Sequence, residues 1–364
     1  MLIIDSHEDI AYNMLEFGRD YLRPVAETRR LESGSFAQRD NGDTLLGWDA
    51  YQRGRVAVVF STLFAAPARQ KVYEWETLVY PDGDAEAAHR LYRAQVDLYH
   101  RLAGEHPNRF RLVASRADLE AVTAHWDSSP AGEHPIGLVF LMEGAEGIRS
   151  PAELAEWYDL GLRQIGLAWA GTRFCGGTKE PGPLTDEGRA LLKAMADFHF
   201  TLDLSHMDEP AALECLDIYP GPIIASHVNC LALLPGYATN RHFSDRVLRG
   251  LIERGGVIGV VPLNSFLKVG WLRKSGSRRE EVPLSVLADH IDHICQLAGD
   301  VRHAGIGTDF DGGFGLQSVP PEIDTIADLH KLADFLRPRG YSESDIEAVL
   351  GGNWLNHLKE NLPA

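Results

Sequence analysis

The chain is short of cysteine, of positive charge and of long apolar runs. Its four cysteines, Cys175, Cys215, Cys230 and Cys295, stand far apart in 364 residues with no C-x-x-C pair. That density excludes a disulfide scaffold and predicts reduced, mostly buried thiols. Lys and Arg number 35 against 52 Asp and Glu, a formal charge of −17. So much negative charge repels a phosphate backbone, and no nucleic-acid partner is expected. No window approaches the roughly 18 to 20 apolar residues of a membrane span. The opening MLIIDSHEDI has neither a basic n-region nor an apolar h-region, and the closing LKENLPA has no hydrophobic tail for a lipid anchor. A cytoplasmic protein with no membrane partner is the expectation. With 45% hydrophobic and 24% charged residues and no low-complexity tract, disorder, collagen and coiled coil are out.

What is present is alternation. Eight short apolar runs recur, at Leu2–Asp5, Val56–Phe64, Ile136–Met142, Gln164–Trp169, Thr201–Leu204, Pro222–Ala225, Val257–Pro262 and Ala304–Gly307. VAVVF, IGLVFLM and GVIGVV are nearly all apolar, as strands covered on both faces must be. Between the runs lie helical patterns at about 85–103, 151–161, 186–199, 208–217, 244–254 and 284–298, several opening on a cap such as Ser150-Pro151, Thr185 or Ser244-Asp245. Eightfold strand–helix alternation predicts one closed parallel (β/α)8 TIM barrel, a single domain over 1–364, rather than two open sheets. Residues 18–50 and 66–85 read as long early βα loops, on the side where barrels build substrate pockets. The stretch 324–361 reads as two or three extra C-terminal helices.

Acidic and histidine residues gather at the C-terminal edges of those runs, the face on which barrels do chemistry. LIIDSHED ends the first with His7 and Asp9, GLVFLMEG the third with Glu143, TLDLSH the fifth with His206, PIIASH the sixth with His227, and AGIGTDFDGG the last with Asp309. Each alone is weak: a strand-end histidine is more often a hydrogen-bonded core residue, Glu143 reads as a cap or ion-pair partner, and Asp309 as a turn residue. Together they read as a metal site. Three histidines and three carboxylates are too many for one tetrahedral catalytic zinc, so two ions are the better count, with Glu143 as the natural bridge. Such a pair activates a water for hydrolysis, and Asp309 is suited to accept its proton and pass it to a leaving group.

At these residues the sequence resembles the membrane (renal-type) dipeptidase family, peptidase family M19 of the amidohydrolase superfamily, from SHEDI at residue 6 to the FDG ending at residue 312. The family's H-x-D matches His7-Glu8-Asp9 and its bridging glutamate Glu143. Its later metal histidines match His206 and His227, and its catalytic aspartate Asp309. The resemblance implies two Zn2+ ions, one on His7 and Asp9, one on His206 and His227, both on Glu143. It also implies that Arg241, in ATNRHFSDRV, binds the carboxylate of the substrate. Read without the resemblance, Arg241 is a surface arginine pairing with an acid. Two departures stand out. Trp169 occupies the place of the family's oxyanion-binding histidine, unless it is a plain core aromatic of the fourth strand, and Glu146 alters the family's E-G-G-H. Indole donates one hydrogen bond and carries no charge.

The expected activity is therefore cleavage of dipeptides by a binuclear zinc hydrolase with a metal-bridged hydroxide as nucleophile, acting on a small-molecule substrate. The alternative is a non-dipeptide amide or a lactone, with Trp169 and the early loops reshaping the pocket. A degenerate barrel that binds without turnover would need missing ligands, and every expected position is filled. Related enzymes are often homodimers, so a second copy is an admitted partner.

Overall fold

The computed structural model describes residues 1–128 and 132–364. Among the described residues eight parallel strands form the barrel at its centre: β1 (Ile3–Glu8), β2 (Val56–Phe64), β3 (Ile136–Glu143), β4 (Leu162–Gly166), β5 (Thr201–Asp203), β6 (Ile223–Ile224), β7 (Ile258–Val260) and β8 (Ala304–Ile306), and a ninth short strand, Phe110–Leu112, pairs with β3 off the barrel path. Hydrogen bonding runs in the order β6-β5-β4-β3-β2-β1-β8-β7. The seam between β6 and β7 is joined by one parallel bridge, Ala225 to Ile258, so eight strands in sequence order make a TIM barrel. Every residue of β1 and β3 is buried; β3 therefore reads as an apolar run up to Met142, while β1 carries Asp5, Ser6, His7 and Glu8 into the interior.

Close approach inside the barrel demands glycine at two places. A Cβ at Gly259 or Gly307 would lie 1.9 Å from the Ser226 carbonyl oxygen, while Ser6 on β1 donates through Oγ to that same carbonyl and to Ile306 O at 2.9 Å. Helices cover the outside, among them Ala85–Glu105, capped where Asp84 accepts from Ala87 N at 2.9 Å, and Asp186–Asp197, capped where Thr185 accepts from Gly188 N at 3.1 Å. The C-terminal helices pack against the last strand, with Trp354 Nε1 donating to Ile306 O at 3.0 Å.

Several boundaries differ from the sequence reading. The first strand runs on to Glu8, because its edge keeps pairing with β2 as far as Ser61. The fourth is Leu162–Gly166 rather than Gln164–Trp169, so Trp169 lies in the loop beyond it and is not a core strand aromatic. Ser150 and Ser244 make no side-chain cap. Helices Ile10–Phe17 and Arg116–Ser128 were not anticipated, and the loop 18–50 contains short helices at Val25–Leu31, Phe36–Asp40 and Trp48–Gly54. All four cysteines are free and buried, and burial pushes the Cys175 thiol up to about 12. Among the described residues no helix is long and apolar enough to cross a membrane.

Candidate active site

Three of the predicted residues sit three positions past a strand end: His206 after Asp203, His227 after Ile224, and Asp309 after Ile306. Glu143 is the last residue of β3, and His7 lies inside β1. Asp9 does not reach the site by strand alternation. It stands at the start of helix Ile10–Phe17, where the chain has already turned (φ −86°, ψ 48°). His206 (φ 68°) and Asp309 (φ 57°) both adopt left-handed backbone that a non-glycine residue takes at a cost, and such conformations concentrate at functional sites.

All six side chains converge. Glu143 directs Oε1 at His206 Nε2 (3.0 Å) and His227 Nε2 (3.3 Å), and Oε2 at His7 Nε2 (3.6 Å). His7 Nε2 also lies 3.9 Å from Asp9 Oδ2 and 3.8 Å from Asp309 Oδ1. Two overlapping sets therefore have the spacing of cation ligands, His7 with Glu143 and His227, and His7 with Asp9 and Asp309. Gly312 closes the floor, since a Cβ there would lie 2.1 Å from Asp309 Oδ1 and 2.7 Å from Asp9 Oδ2.

The electrostatics ask for a cation. Among the described residues, the three carboxylates have only these histidines, and no Lys or Arg, within ion-pair distance. Burial, with Asp311 nearby, pushes Asp9 up to about 7, and burial together with neighbouring acids holds Glu143 and Asp309 well above the carboxylate range. Burial lowers His7 to about 3 and holds His206 and His227 well below the imidazole range, helped by the Arg241 charge. Neutral imidazoles with free lone pairs beside like-charged acids are what a divalent cation binds, and its charge would reverse the acids' shifts. Among the described residues, both ring nitrogens of His7 and Oδ1 of Asp9 are buried without a hydrogen-bond partner, so the donor set fits a metal.

Residues the sequence reading did not single out orient these side chains. Thr178 Oγ1 meets His206 Nδ1 at 2.9 Å and Ser226 Oγ meets His227 Nδ1 at 2.8 Å, leaving each Nε2 toward the cluster. Ser226 is in turn anchored by Asp203, whose Oδ1 accepts from Ser226 N at 2.8 Å. Ser226 had a signal, its adjacency to His227; Thr178 had none, because it comes from the hairpin of Cys175–Gly177 with Glu180–Leu184 that pattern reading did not reveal.

Arg241 is 2% exposed, which removes the surface reading. Its Nη2 donates to His227 O at 2.8 Å, while Nε and Nη1 are buried without partners among the described residues. A planar fork with two unused donors beside the cluster suits a carboxylate. Trp169, part-exposed, places its ring 6.2 Å from that of His206. Glu146 faces away into an ion pair, accepting from Arg173 Nη1 at 2.6 Å.

The model of the membrane dipeptidase family, peptidase family M19, matches residues 1–362. The chain is 31% identical over 275 residues to an uncharacterized protein of the pqqA 5′ region of Klebsiella pneumoniae, covering 73% of this chain and 94% of that one. It is 29% identical over 312 residues to the dipeptidase ataJ of Aspergillus terreus, covering 78% and 70%. In fold it is similar to a metallopeptidase from Rhodobacter sphaeroides, solved with a phosphinate mimic of the dipeptide L-Ala-D-Ala, at TM-score 0.77 and 24% identity over 100% of this chain and 99% of that one. A TIM barrel matched by the family model almost from end to end places the chain in the membrane dipeptidase family, peptidase family M19.

Proposed function

We propose that this protein is a binuclear zinc hydrolase that cleaves the peptide bond of dipeptides carrying a free C-terminal carboxylate. The observation that carries this reading is the division of Glu143, one oxygen toward His206 and His227 and the other toward His7. His7 and Asp9 would hold one ion, His206 and His227 the other, and Glu143 both. Ions bound there supply Lewis acidity, lowering the pKa of a water and polarising the scissile carbonyl.

The chain's own residues do the rest. Arg241 receives the substrate carboxylate on its free Nε and Nη1, fixing the amide over the cluster. Asp309, with its side chain 13% exposed, faces the cluster from the turn after the last strand, placed to take the proton of the attacking water and deliver it to the departing amine. Thr178 and Ser226 keep the imidazoles aimed. The test is metal analysis with a dipeptide panel on wild type and Asp309→Asn. About two zinc ions per chain, release of free amino acids and a loss of about 10²–10⁴ in kcat for the variant are expected. A metal-replete preparation inert on the whole panel would refute the reading, and undiminished activity of the variant would refute the role of Asp309.

A second reading keeps the metal site and changes the substrate to another amide or a lactone. It is favoured by one observation, the uncharged indole of Trp169 beside His206. Trp169→His should then trade one substrate class for another.

A further inference from the structure

Aromatic side chains run without interruption from the site to the protein surface. Ring centroids lie 6.2 Å apart from His206 to Trp169, 5.0 Å from Trp169 to Phe64, 5.6 Å from Phe64 to Tyr12, 6.5 Å from Tyr12 to Phe17 and 4.9 Å from Phe17 to Trp75. Phe36 packs on Trp75 at 5.4 Å and is 39% exposed. Barrel-core aromatics such as Phe60 and Phe140 are sealed, whereas Trp169, Phe64, Tyr12, Phe17 and Trp75 all keep part of their surface open. The wall is held in place by polar ties. Trp75 Nε1 donates to Asp40 Oδ2 at 2.9 Å, joining the two early loops, and Glu16 accepts from Thr77 N at 2.7 Å, joining the second loop to helix Ile10–Phe17. A fixed, part-open aromatic surface that abuts a reactive cluster is apolar area available for burial by a ligand.

Its position relative to Arg241 says which part of a substrate meets it. Tyr12 and Phe17 follow β1, Phe64 and Trp75 belong to the end of β2 and the loop after it, and Trp169 follows β4. Arg241 follows β6 and packs over Phe266, which follows β7. In the strand order β2 stands across the barrel from β6, so the histidine–carboxylate cluster lies between the arginine and the wall. A dipeptide with its carboxylate on Arg241 and its amide over the cluster presents its N-terminal residue to the wall. We infer that the Trp169–Phe64–Tyr12–Trp75 wall is the specificity surface for that residue, and that preferred substrates carry an aromatic or large apolar side chain there. The inference rests on the dipeptidase reading and adds to it the class of N-terminal residue. Small side chains leave the wall wet and gain nothing from it; a phenyl or indole group buries against it.

The test compares kcat/KM of the zinc-supplemented protein for Phe-Ala, Trp-Ala and Ala-Ala. The aromatic substrates should be favoured by about tenfold or more, the scale on which an apolar subsite discriminates. Trp75→Ala and Phe64→Leu should each pull that ratio toward one; the second is a conservative change that keeps the variant series interpretable if the first misfolds. Binding is read separately, by quenching of intrinsic tryptophan fluorescence with phenylalaninamide and with alaninamide. Ala-Ala cleaved as well as Phe-Ala would overturn the inference and leave the dipeptidase reading standing. If no dipeptide is cleaved, that reading fails, and the fluorescence titration decides the wall alone: tighter binding of phenylalaninamide, weakened in Phe64→Leu, supports it, and equal binding of the two amides overturns it.

Discussion

Replacing Arg19 by Met should loosen the loop that carries Asp309. Arg19 belongs to the first early loop and Asp311 to the turn after β8; both side chains are wholly buried, with Arg19 Nη1 2.9 Å from Asp311 Oδ2. Asp311 also accepts from Tyr21 OH at 3.0 Å and from Leu45 N at 3.0 Å. Arg19 further donates to Glu32 through Nε at 2.9 Å and through Nη2 at 3.0 Å. Arg19→Met leaves one buried carboxylate held by neutral donors alone and strands a second, and breaking a buried pair in this way costs about 3–5 kcal/mol. At an unfolding entropy of about 2.1 cal/mol/K per residue, 364 residues give about 0.76 kcal/mol/K, so Tm should fall by about 4–7 °C. Asp309 lies two residues from Asp311, and both hold left-handed backbone (φ 57° and 65°). Its carboxylate should therefore drift, lowering kcat more than it raises KM. Arg19→Lys keeps the charge without the fork and should recover part of both effects. The assay is scanning calorimetry at saturating zinc alongside steady-state kinetics. A Tm within about 1 °C of wild type together with unchanged kcat would refute the clamp.

Zinc binding should release protons from carboxyl groups rather than from imidazoles. Asp9 is raised to about 7 and His7 is lowered to about 3, so near pH 6 the Asp9 carboxyl of the zinc-free protein holds its proton and the His7 imidazole does not, while Glu143 and Asp309 are raised in the same direction. A carboxyl whose folded pKa exceeds its unfolded one destabilises the zinc-free fold increasingly as pH rises from about 4 through about 7, and apparent zinc affinity should climb over the same window before levelling. Calorimetry in two buffers of different ionisation enthalpy measures the release; none near pH 6 would contradict these shifts. Arg241→Met should cost about 1.5–3 kcal/mol, roughly 10- to 150-fold in kcat/KM, for dipeptides with a free carboxylate. C-terminal amides of the same dipeptides should be nearly unaffected, and equal losses on both would remove the anchoring role.

Much of the site was legible because barrel chemistry sits at strand ends and strand ends are local features. Apolar runs covered on both faces announce themselves within four to nine residues, so the order of eight strands and the edges bearing His7, Glu143, His206, His227 and Asp309 follow from short windows of sequence. Boundaries were less secure. Asp9 arrives by a turn rather than by alternation, and Trp169 lies past its strand, because the pairing that ends a strand is made with a neighbour distant in sequence.

By itself, then, the sequence determined the barrel and the identity and order of the ligand candidates, both of which rest on residue type and short-range period. Only the tertiary structure decided that Arg241 is buried with two unused donors, that Thr178 and Ser226 aim the histidines, that Arg19 reaches across to Asp311, and that aromatics from three loops meet in one wall. Apart from Ser226 beside His227, those contacts join segments 14 to 292 residues apart, and no local pattern records which distant side chain will fill the space beside a given one.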